Sequence, residues 1–141
     1  SYGPEMRGGT AYCFVNLSEQ PIGSPTVTHP DVLMAFNRPS LEKFEADLKP
    51  GGLLMYDSTI IDVSPTRTDI EVLAVPATQL ADELGNIRYA NTIMVGAYLA
   101  RTGILSPKAI EQTLPLALKR KNLIEANRQA LYKGYDHIRA L

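Results

Sequence analysis

The chain has 141 residues, of which 45% are hydrophobic and 21% are charged. These are ordinary values for a folded domain, and they exclude a disordered chain. The formal net charge is −1, so the composition offers no basic surface for nucleic acid. The longest apolar run, residues 93–100, is far shorter than the ~20 residues that a membrane span needs.

Soft metal ligands are scarce. The whole sequence contains one cysteine, Cys13, and two histidines, His29 and His137. An iron–sulfur cluster takes about four thiolates and a structural zinc takes four Cys or His ligands, so we predict that the chain binds neither metal nor cluster. Low cysteine usage is typical of the cytoplasm. Because Cys13 lies in an apolar run, we interpret it as a buried structural thiol.

The first third of the chain predicts a loop followed by two strands. Residues 1–9 contain three glycines and no periodicity, which indicates a loop. Residues 10–18 are rich in side chains that favour extended structure and predict a strand. Four prolines and glycines keep residues 19–30 irregular. The continuous apolar run 31–36 is typical of a strand that is covered on both faces.

A βαβ unit is expected next. Ser40 is placed to cap a helix over residues 41–48, and the KPGG sequence at 49–52 ends it. Residues 53–56 predict the following buried strand, so strand, helix and strand follow within about 30 residues. Residues 60–63 are interpreted as an extension or bulge of the sheet.

The remaining elements are one strand and a helical section. Residues 70–75 predict a strand, and Pro76 suits the first turn of a short helix that ends near Leu84 and Gly85. The C-terminal part is expected to be helical. Its first helix is buried, and Gly96 in it allows close backbone approach. A second helix follows the Ser106–Pro107 cap and is kinked or split by Pro115, and a last helix follows it. The predicted ranges of the first and the last of these helices are 89–102 and 122–138.

This order of elements predicts an α/β fold. We expect a Rossmann-like, doubly wound and mostly parallel sheet with a helical C-terminal section, forming a single domain over residues 1–141. The opening strand of a complete sheet of this kind is not in the sequence. We expect the natural polypeptide to begin before Ser1.

Polar residues follow two of the predicted strands. Asn37 comes after the strand at 31–36, and Asp57, Ser58 and Thr59 come after the strand at 53–56. Ligands of open α/β sheets bind beyond the carboxyl ends of the strands, so these four residues form a candidate strand-end site. They include no nucleophile–base pair, and we assign no catalytic residue. The alternative is that Asn37 and Ser58 shape turns or cap helices and that Asp57 is a polar edge.

The N-terminal loop is the second candidate site. Its glycines allow the backbone to approach another molecule, and its two charged side chains can bind ionic groups or pair with each other. Because the loop precedes a strand, it lacks the helix dipole of a nucleotide-binding turn. The residues assigned to this loop are Tyr2, Gly3, Glu5, Arg7, Gly8 and Gly9.

Three further polar features need a role. Asn91 and Asn127 lie on predicted apolar helices, where a buried amide must find partners, and holding backbone is the expected task. The cations at 119–121 are interpreted as a solvated helix end, with docking against an acidic partner as the alternative.

Three segments carry a family resemblance: SYGPEMRGG at 1–9, IGSP at 22–25 with PDVLMAFN at 30–37, and LKPGG at 48–52. The pattern around Asn91, Gly96, Asn127 and Gly134 agrees. Together they resemble the gamma subunit of 2-oxoacid:ferredoxin oxidoreductases along essentially the whole chain. Members of that family open with a strand and a G-x-G-G-x-G turn, which this sequence lacks.

The resemblance implies a subunit that is inactive alone. The complex would decarboxylate a 2-oxoacid on thiamine diphosphate, reduce ferredoxin through iron–sulfur clusters and transfer the acyl group to coenzyme A, with the cofactors held by alpha, beta and possibly delta subunits. It also implies that the Tyr2–Gly9 loop packs near the subunit junction, where Arg7 contacts a substrate carboxylate or a coenzyme A phosphate. We expect 2-oxoglutarate or a branched-chain 2-oxoacid rather than pyruvate.

Three alternatives stay open at this point. One is an indolepyruvate oxidoreductase component of the same architecture. Another is a stand-alone nucleotide-binding α/β protein, and the third is an interaction subunit that does not contact the active site.

Overall fold

The computed structural model describes residues 10–141. Within them, three strands form a parallel sheet in the order β1 (Val32–Ala35), β2 (Leu53–Asp57) and β3 (Glu71–Val75). The described chain separates into two compact units, one with residues 10–56 and 63–73 and the other with 57–62 and 74–141. The predicted α/β class with a parallel sheet is confirmed. The single-domain expectation for residues 1–141 stays a prediction.

The first unit contains the predicted βαβ arrangement. Strands β1 and β2 pair in parallel with Val32 opposite Leu53 and Ala35 opposite Tyr56. Helix α1 (Arg38–Phe44) connects them and continues into a short 3-10 helix, Glu45–Asp47. The side chains of Leu41 and Leu48 are buried, which anchors the connection in the core.

Helix α1 begins earlier than the sequence analysis predicts. Its N-cap is Asn37, whose side-chain oxygen accepts a hydrogen bond from the backbone N–H of Ser40 at 2.9 Å. Pro39 lies in the first turn, where the missing N–H costs nothing because those groups lack intrahelical partners. Ser40 is therefore inside the helix, and the prediction that it caps the helix is wrong.

Residues 10–18 do not form a strand, which corrects a second prediction. Side chains that favour extended structure need a neighbouring strand to complete a hydrogen-bonded ladder, and the sheet formed by the described residues does not include this segment. Cys13 and Phe14 are exposed, so the interpretation of Cys13 as a buried thiol is also wrong.

The predicted sheet extension at 60–63 is wrong, because a turn occupies 58–60 and residues 60–63 form no strand. The backbone carbonyl of Asp57 accepts hydrogen bonds from the N–H groups of Ile60 and Ile61, at 3.2 and 2.9 Å. The chain after β2 therefore folds back on itself before it could pair with a strand.

The predicted helices of the C-terminal section are confirmed. They are α2 (Ala77–Glu83), α3 (Ala90–Thr102), α4 (Pro107–Ala117) and α5 (Ile124–Arg139), with 3-10 helices at Ile87–Tyr89 and Lys121–Leu123. Ser106 caps α4, and its hydroxyl accepts from the N–H of Ala109 at 3.2 Å. Pro115 does not split α4, which continues for two residues beyond it and then ends.

Helices α3 and α5 of the second unit touch backbone to backbone. A Cβ atom built on Gly96 would lie 2.0 Å from the carbonyl oxygen of Leu131, and one built on Gly134 would lie 1.9 Å from that of Ile93. Ordinary contacts of a Cβ atom begin at 3.4 Å. Glycine at both positions is thus a condition of this packing, as expected for Gly96.

None of the helices formed by residues 10–141 combines the length and the apolar composition that a membrane span requires.

Candidate functional site

Asp57, the last residue of β2, is the centre of the predicted strand-end site. Its side chain is 1% exposed and is the one buried polar side chain among residues 10–141. The carboxylate accepts a hydrogen bond from the Thr59 N–H at 3.1 Å, from the Thr78 N–H at 3.0 Å and from the Thr78 hydroxyl at 2.6 Å. A buried carboxylate requires such donors, because an unpaired charge in the interior is strongly disfavoured.

Ser58 and Thr59 continue the same local structure. The Ser58 N–H donates to the carbonyl of Val75 at 2.9 Å, and the Thr59 hydroxyl accepts from the N–H of Gln79 at 3.1 Å. The structure therefore brings Asp57, Ser58 and Thr59 together within the second unit, next to the first turn of α2.

These side chains satisfy the start of helix α2. Its N-cap residue, Pro76, makes no side-chain capping bond. The first N–H groups of a helix have no intrahelical partner, and here Asp57 and Thr59 accept from two of them although they lie about 20 residues earlier in the chain. The negative charge of Asp57 also suits the positive end of the helix dipole. Chemically, this cluster is a set of acceptors occupied by backbone and hydroxyl donors of the same unit.

Asn37 lies in the first unit. Its side-chain oxygen is occupied by the capping bond to Ser40. Asn37 therefore caps helix α1, which is the alternative that the sequence analysis gave for this residue. A ligand-binding role for Asn37, Asp57, Ser58 or Thr59 stays a prediction.

The second predicted site, the loop of Tyr2, Gly3, Glu5, Arg7, Gly8 and Gly9, lies outside the described residues. Its role stays a prediction. Among residues 10–141, no group of three or more His, Cys, Asp or Glu side chains is arranged to hold a metal ion. His29 instead lies 3.3 Å from the carbonyl oxygen of Asp47 through Nδ1.

Sequence reasoning missed an arginine-centred cluster in the first unit. Arg67 binds the Asp69 carboxylate through Nε at 2.8 Å and Nη2 at 2.6 Å, and its Nη1 donates to the carbonyls of Glu45 and Leu48. The Glu45 carboxylate accepts from the N–H groups of Thr66 and Arg67, at 2.7 and 3.0 Å. The hydrogen bond from Arg67 lowers the pKa of Asp69.

This cluster ties the segment before β3 to the end of α1. The carbonyls at a helix C-terminus lack intrahelical partners, and the guanidinium supplies donors to them. The Arg-x-Asp spacing at 67–69 is a visible signal. The sequence does not show that Glu45, about 20 residues earlier, contacts the same cluster.

Asn127 holds backbone, as the sequence analysis expects. Its side-chain nitrogen donates to the Leu123 carbonyl at 2.8 Å, and its oxygen accepts from the Thr92 hydroxyl at 2.8 Å. Asn91 is exposed, so the expectation of a buried amide at this position is wrong, and its oxygen accepts from the Thr92 N–H at 2.8 Å. The bond between Thr92 and Asn127 links the start of α3 to α5.

The described residues thus define an open, parallel α/β protein whose predicted strand-end residues serve its own helix ends. More specifically, the chain belongs to the pyruvate ferredoxin/flavodoxin oxidoreductase family, whose model matches residues 1–137. The resemblance stated from the sequence motifs is confirmed.

Two curated relatives illustrate this membership. The chain is 39% identical over 142 residues to the ketoisovalerate oxidoreductase subunit VorA of Methanothermobacter marburgensis, covering 99% of this chain and 29% of the relative. It is 33% identical over 142 residues to the 2-oxoglutarate synthase subunit KorC of Methanocaldococcus jannaschii, covering 96% of this chain and 73% of the relative. The chain therefore spans less than a third of VorA.

Solved structures agree with the fold. The keto/oxoacid ferredoxin oxidoreductase gamma subunit of Geobacter sulfurreducens superposes with a TM-score of 0.70 at 29% identity, over 79% of this chain and 65% of that one. A 2-oxoglutarate:ferredoxin oxidoreductase of Magnetococcus marinus, solved with 2-oxoglutarate, coenzyme A and succinyl-CoA bound, gives 0.73 at 25% identity, over 88% of this chain and 22% of that one.

Proposed function

We propose that this chain is the gamma component of a 2-oxoacid:ferredoxin oxidoreductase that works in the cytoplasm. The observation that carries the proposal is the family match over residues 1–137, supported by relatives that are themselves named as subunits of such enzymes. The reaction converts a 2-oxoacid and coenzyme A to an acyl-CoA and CO₂ and gives two electrons to ferredoxin.

The cofactors of this reaction belong to partner chains. One cysteine and two histidines in 141 residues cannot ligate an iron–sulfur cluster of the ordinary four-thiolate type. We assign thiamine diphosphate and the clusters to alpha, beta and possibly delta subunits. This chain then supplies position and surface, not the redox centres.

A branched-chain 2-oxoacid or 2-oxoglutarate is the proposed substrate class. The names of the two curated relatives, ketoisovalerate oxidoreductase and 2-oxoglutarate synthase subunits, support it. The electron acceptor is a separate question, because a 28% identical relative is the gamma subunit of an NADH-dependent phenylglyoxylate dehydrogenase of Aromatoleum evansii.

Reconstitution tests the proposal. The partner subunits from the same source are purified with and without this chain, and coenzyme A-dependent reduction of ferredoxin is followed with ketoisovalerate, 2-oxoglutarate and pyruvate. Activity is expected only when this chain is present, with pyruvate the poorest substrate. Acyl-CoA formation by the isolated chain would refute the proposal, and so would full activity of the partners without it.

The Tyr2–Gly9 loop is proposed to lie at the subunit junction, with Arg7 on a substrate carboxylate or a coenzyme A phosphate. Losing a charge-assisted hydrogen bond costs about 1.5–3 kcal/mol, so Arg7→Ala should raise the KM of one of the two substrates by about 10- to 100-fold. Arg139→Ala is the control, because it removes the same charged group from an exposed position in the last turn of α5 that has no assigned binding role. Unchanged kinetics and assembly of the Arg7→Ala complex would end this assignment.

A further inference from the structure

The segment that follows α4 combines an exposed apolar side chain with three cations. Leu116 is 89% exposed, the highest value among the large exposed hydrophobic side chains of the described residues. Lys119, Arg120 and Lys121 follow within five residues and are all exposed. We call these four residues the basic segment.

The charge of this segment is not neutralised locally. Residues 112–124 contain no Asp or Glu. The nearest carboxylates in sequence are engaged elsewhere, because Glu111 accepts from the Tyr132 hydroxyl at 2.8 Å and Glu125 binds Arg128 at 2.6 Å. The first of these bonds raises the pKa of Tyr132, and the second, with Gln129, lowers that of Glu125 to about 2. Both carboxylates therefore already serve contacts of α5.

The segregation of charge is large for this chain. Without the three cations, 11 Lys and Arg face 15 Asp and Glu, which is a net charge of −4 instead of −1. The C-terminal end of α4 favours a nearby cation, but that effect reaches only the last turn and does not account for three in succession. Adjacent like charges repel each other, and an opposing acidic surface would remove that cost.

We infer that the basic segment is a docking surface for an acidic face of a partner protein of the complex. An apolar residue beside a rim of charge is the ordinary anatomy of a protein interface, in which Leu116 would be the buried contact and the cations would steer association. Nucleic acid is disfavoured because the chain as a whole carries a net charge of −1. The inference rests on the proposed function, which requires partner subunits.

Binding kinetics test the surface. The partner subunits are immobilised, and association is measured at about 50 mM and about 500 mM NaCl. The variant K119E/R120E/K121E should associate about 10- to 100-fold more slowly than the wild type at low salt, and the difference should shrink at high salt. Leu116→Ser should leave association unchanged and speed dissociation about tenfold.

A charge-matched variant separates local from global effects. R88E/K108E/R139E reverses three exposed cations that are scattered over the second unit, and it changes the net charge by the same six units. It should associate within about threefold of the wild type, since steering depends on where the charge lies. Circular dichroism confirms that all variants are folded.

The outcomes distinguish this inference from the proposed function. A wild-type chain that does not bind the partner subunits at all overturns both. Wild-type binding with equal rate constants for K119E/R120E/K121E overturns only the docking surface. Loss of binding to phosphatidylserine vesicles in that variant, with unchanged subunit binding, would assign the segment to a membrane surface and likewise overturn the inference.

Discussion

From the close contact between α3 and α5 we predict that replacing a helical glycine by alanine lowers the free energy of unfolding, which is the opposite of what helix propensity alone predicts. Replacing glycine by alanine inside a helix normally stabilises it by about 1 kcal/mol. At Gly96 the added Cβ would lie 2.0 Å from the Leu131 carbonyl oxygen, so the helices would have to separate by about 1.4 Å (3.4 minus 2.0) to reach an ordinary contact. That separation loosens the buried side chains of Ile93 and Ala130.

The expected cost exceeds the propensity gain. Overpacking a well-packed core costs about 1–3 kcal/mol even where a side chain can move, and here the obstacle is backbone. We expect Gly96→Ala to lower the free energy of unfolding by about 3 kcal/mol or more and the midpoint of thermal unfolding by about 10 °C. Gly134→Ala should behave alike, because its Cβ would lie 1.9 Å from the Ile93 carbonyl oxygen.

Urea and thermal unfolding of the purified chain measure these effects. Gly23→Ala is the control, since an added Cβ there meets no atom within 4 Å, and it should stay within about 0.5 kcal/mol of the wild type. The double variant G96A/G134A should cost less than the sum of the single variants, because helices already separated by one methyl group accommodate the other. Stabilisation by either single variant would show that the two helices do not approach as closely as described.

Three further predictions concern the polar clusters. Asp57→Asn places an NH₂ group among donors and should destabilise the chain by about 3 kcal/mol in urea unfolding, while Thr78→Val should cost about 1 kcal/mol; equal stability of D57N and the wild type would contradict the capping role. Arg67→Ala should bring the lowered pKa of Asp69 back up to its ordinary range in an NMR titration. Arg67→Lys should not restore the lowered pKa, because lysine lacks the planar two-nitrogen fork that binds the carboxylate. Arg128→Ala should raise the pKa of Glu125 from about 2 towards its ordinary value of 4.5. Because this pKa is depressed in the folded chain, the stabilisation from the pair is present above pH 4.5 and is lost as the pH falls towards 2. A Glu125 titration that does not shift in the variant would refute the pairing.

The sequence predicted the elements whose signals are local. The helix at 89–102 was expected from its apolar composition and was observed as Ala90–Thr102, and the Ser106–Pro107 pair marked the start of α4. Helix α1 shows how a local signal is misread. Asn37 and Ser40 are both good caps, and Pro39 is compatible with a helix that begins at either one, so the local signal does not decide between them.

The misses depend on partners that are distant in the sequence. Whether residues 10–18 form a strand is decided by a neighbouring strand and not by their own side chains. Asp57 was recognised as a polar residue at a strand end, but its partner Thr78 lies 21 residues away and carries no motif. The Arg67 cluster was missed for the same reason, since Glu45 precedes it by 22 residues.

In the proposed oxidoreductase complex, these satisfied clusters separate two kinds of variant. The carboxylate oxygens of Asp57 accept hydrogen bonds at the start of α2. Changing Asp57 should therefore alter the amount and the stability of the complex, and not its preference among 2-oxoacids. The opposite expectation holds for Arg7, as the proposed contact of a substrate carboxylate or a coenzyme A phosphate, and for the exposed basic segment, because changing them should alter binding constants. The ratio of kcat/KM for two 2-oxoacids, measured on complexes that contain equal amounts of this chain, therefore distinguishes a residue that supports the fold from one that contacts the substrate. A D57N complex with altered preference would show that the strand-end carboxylate reaches the substrate after all.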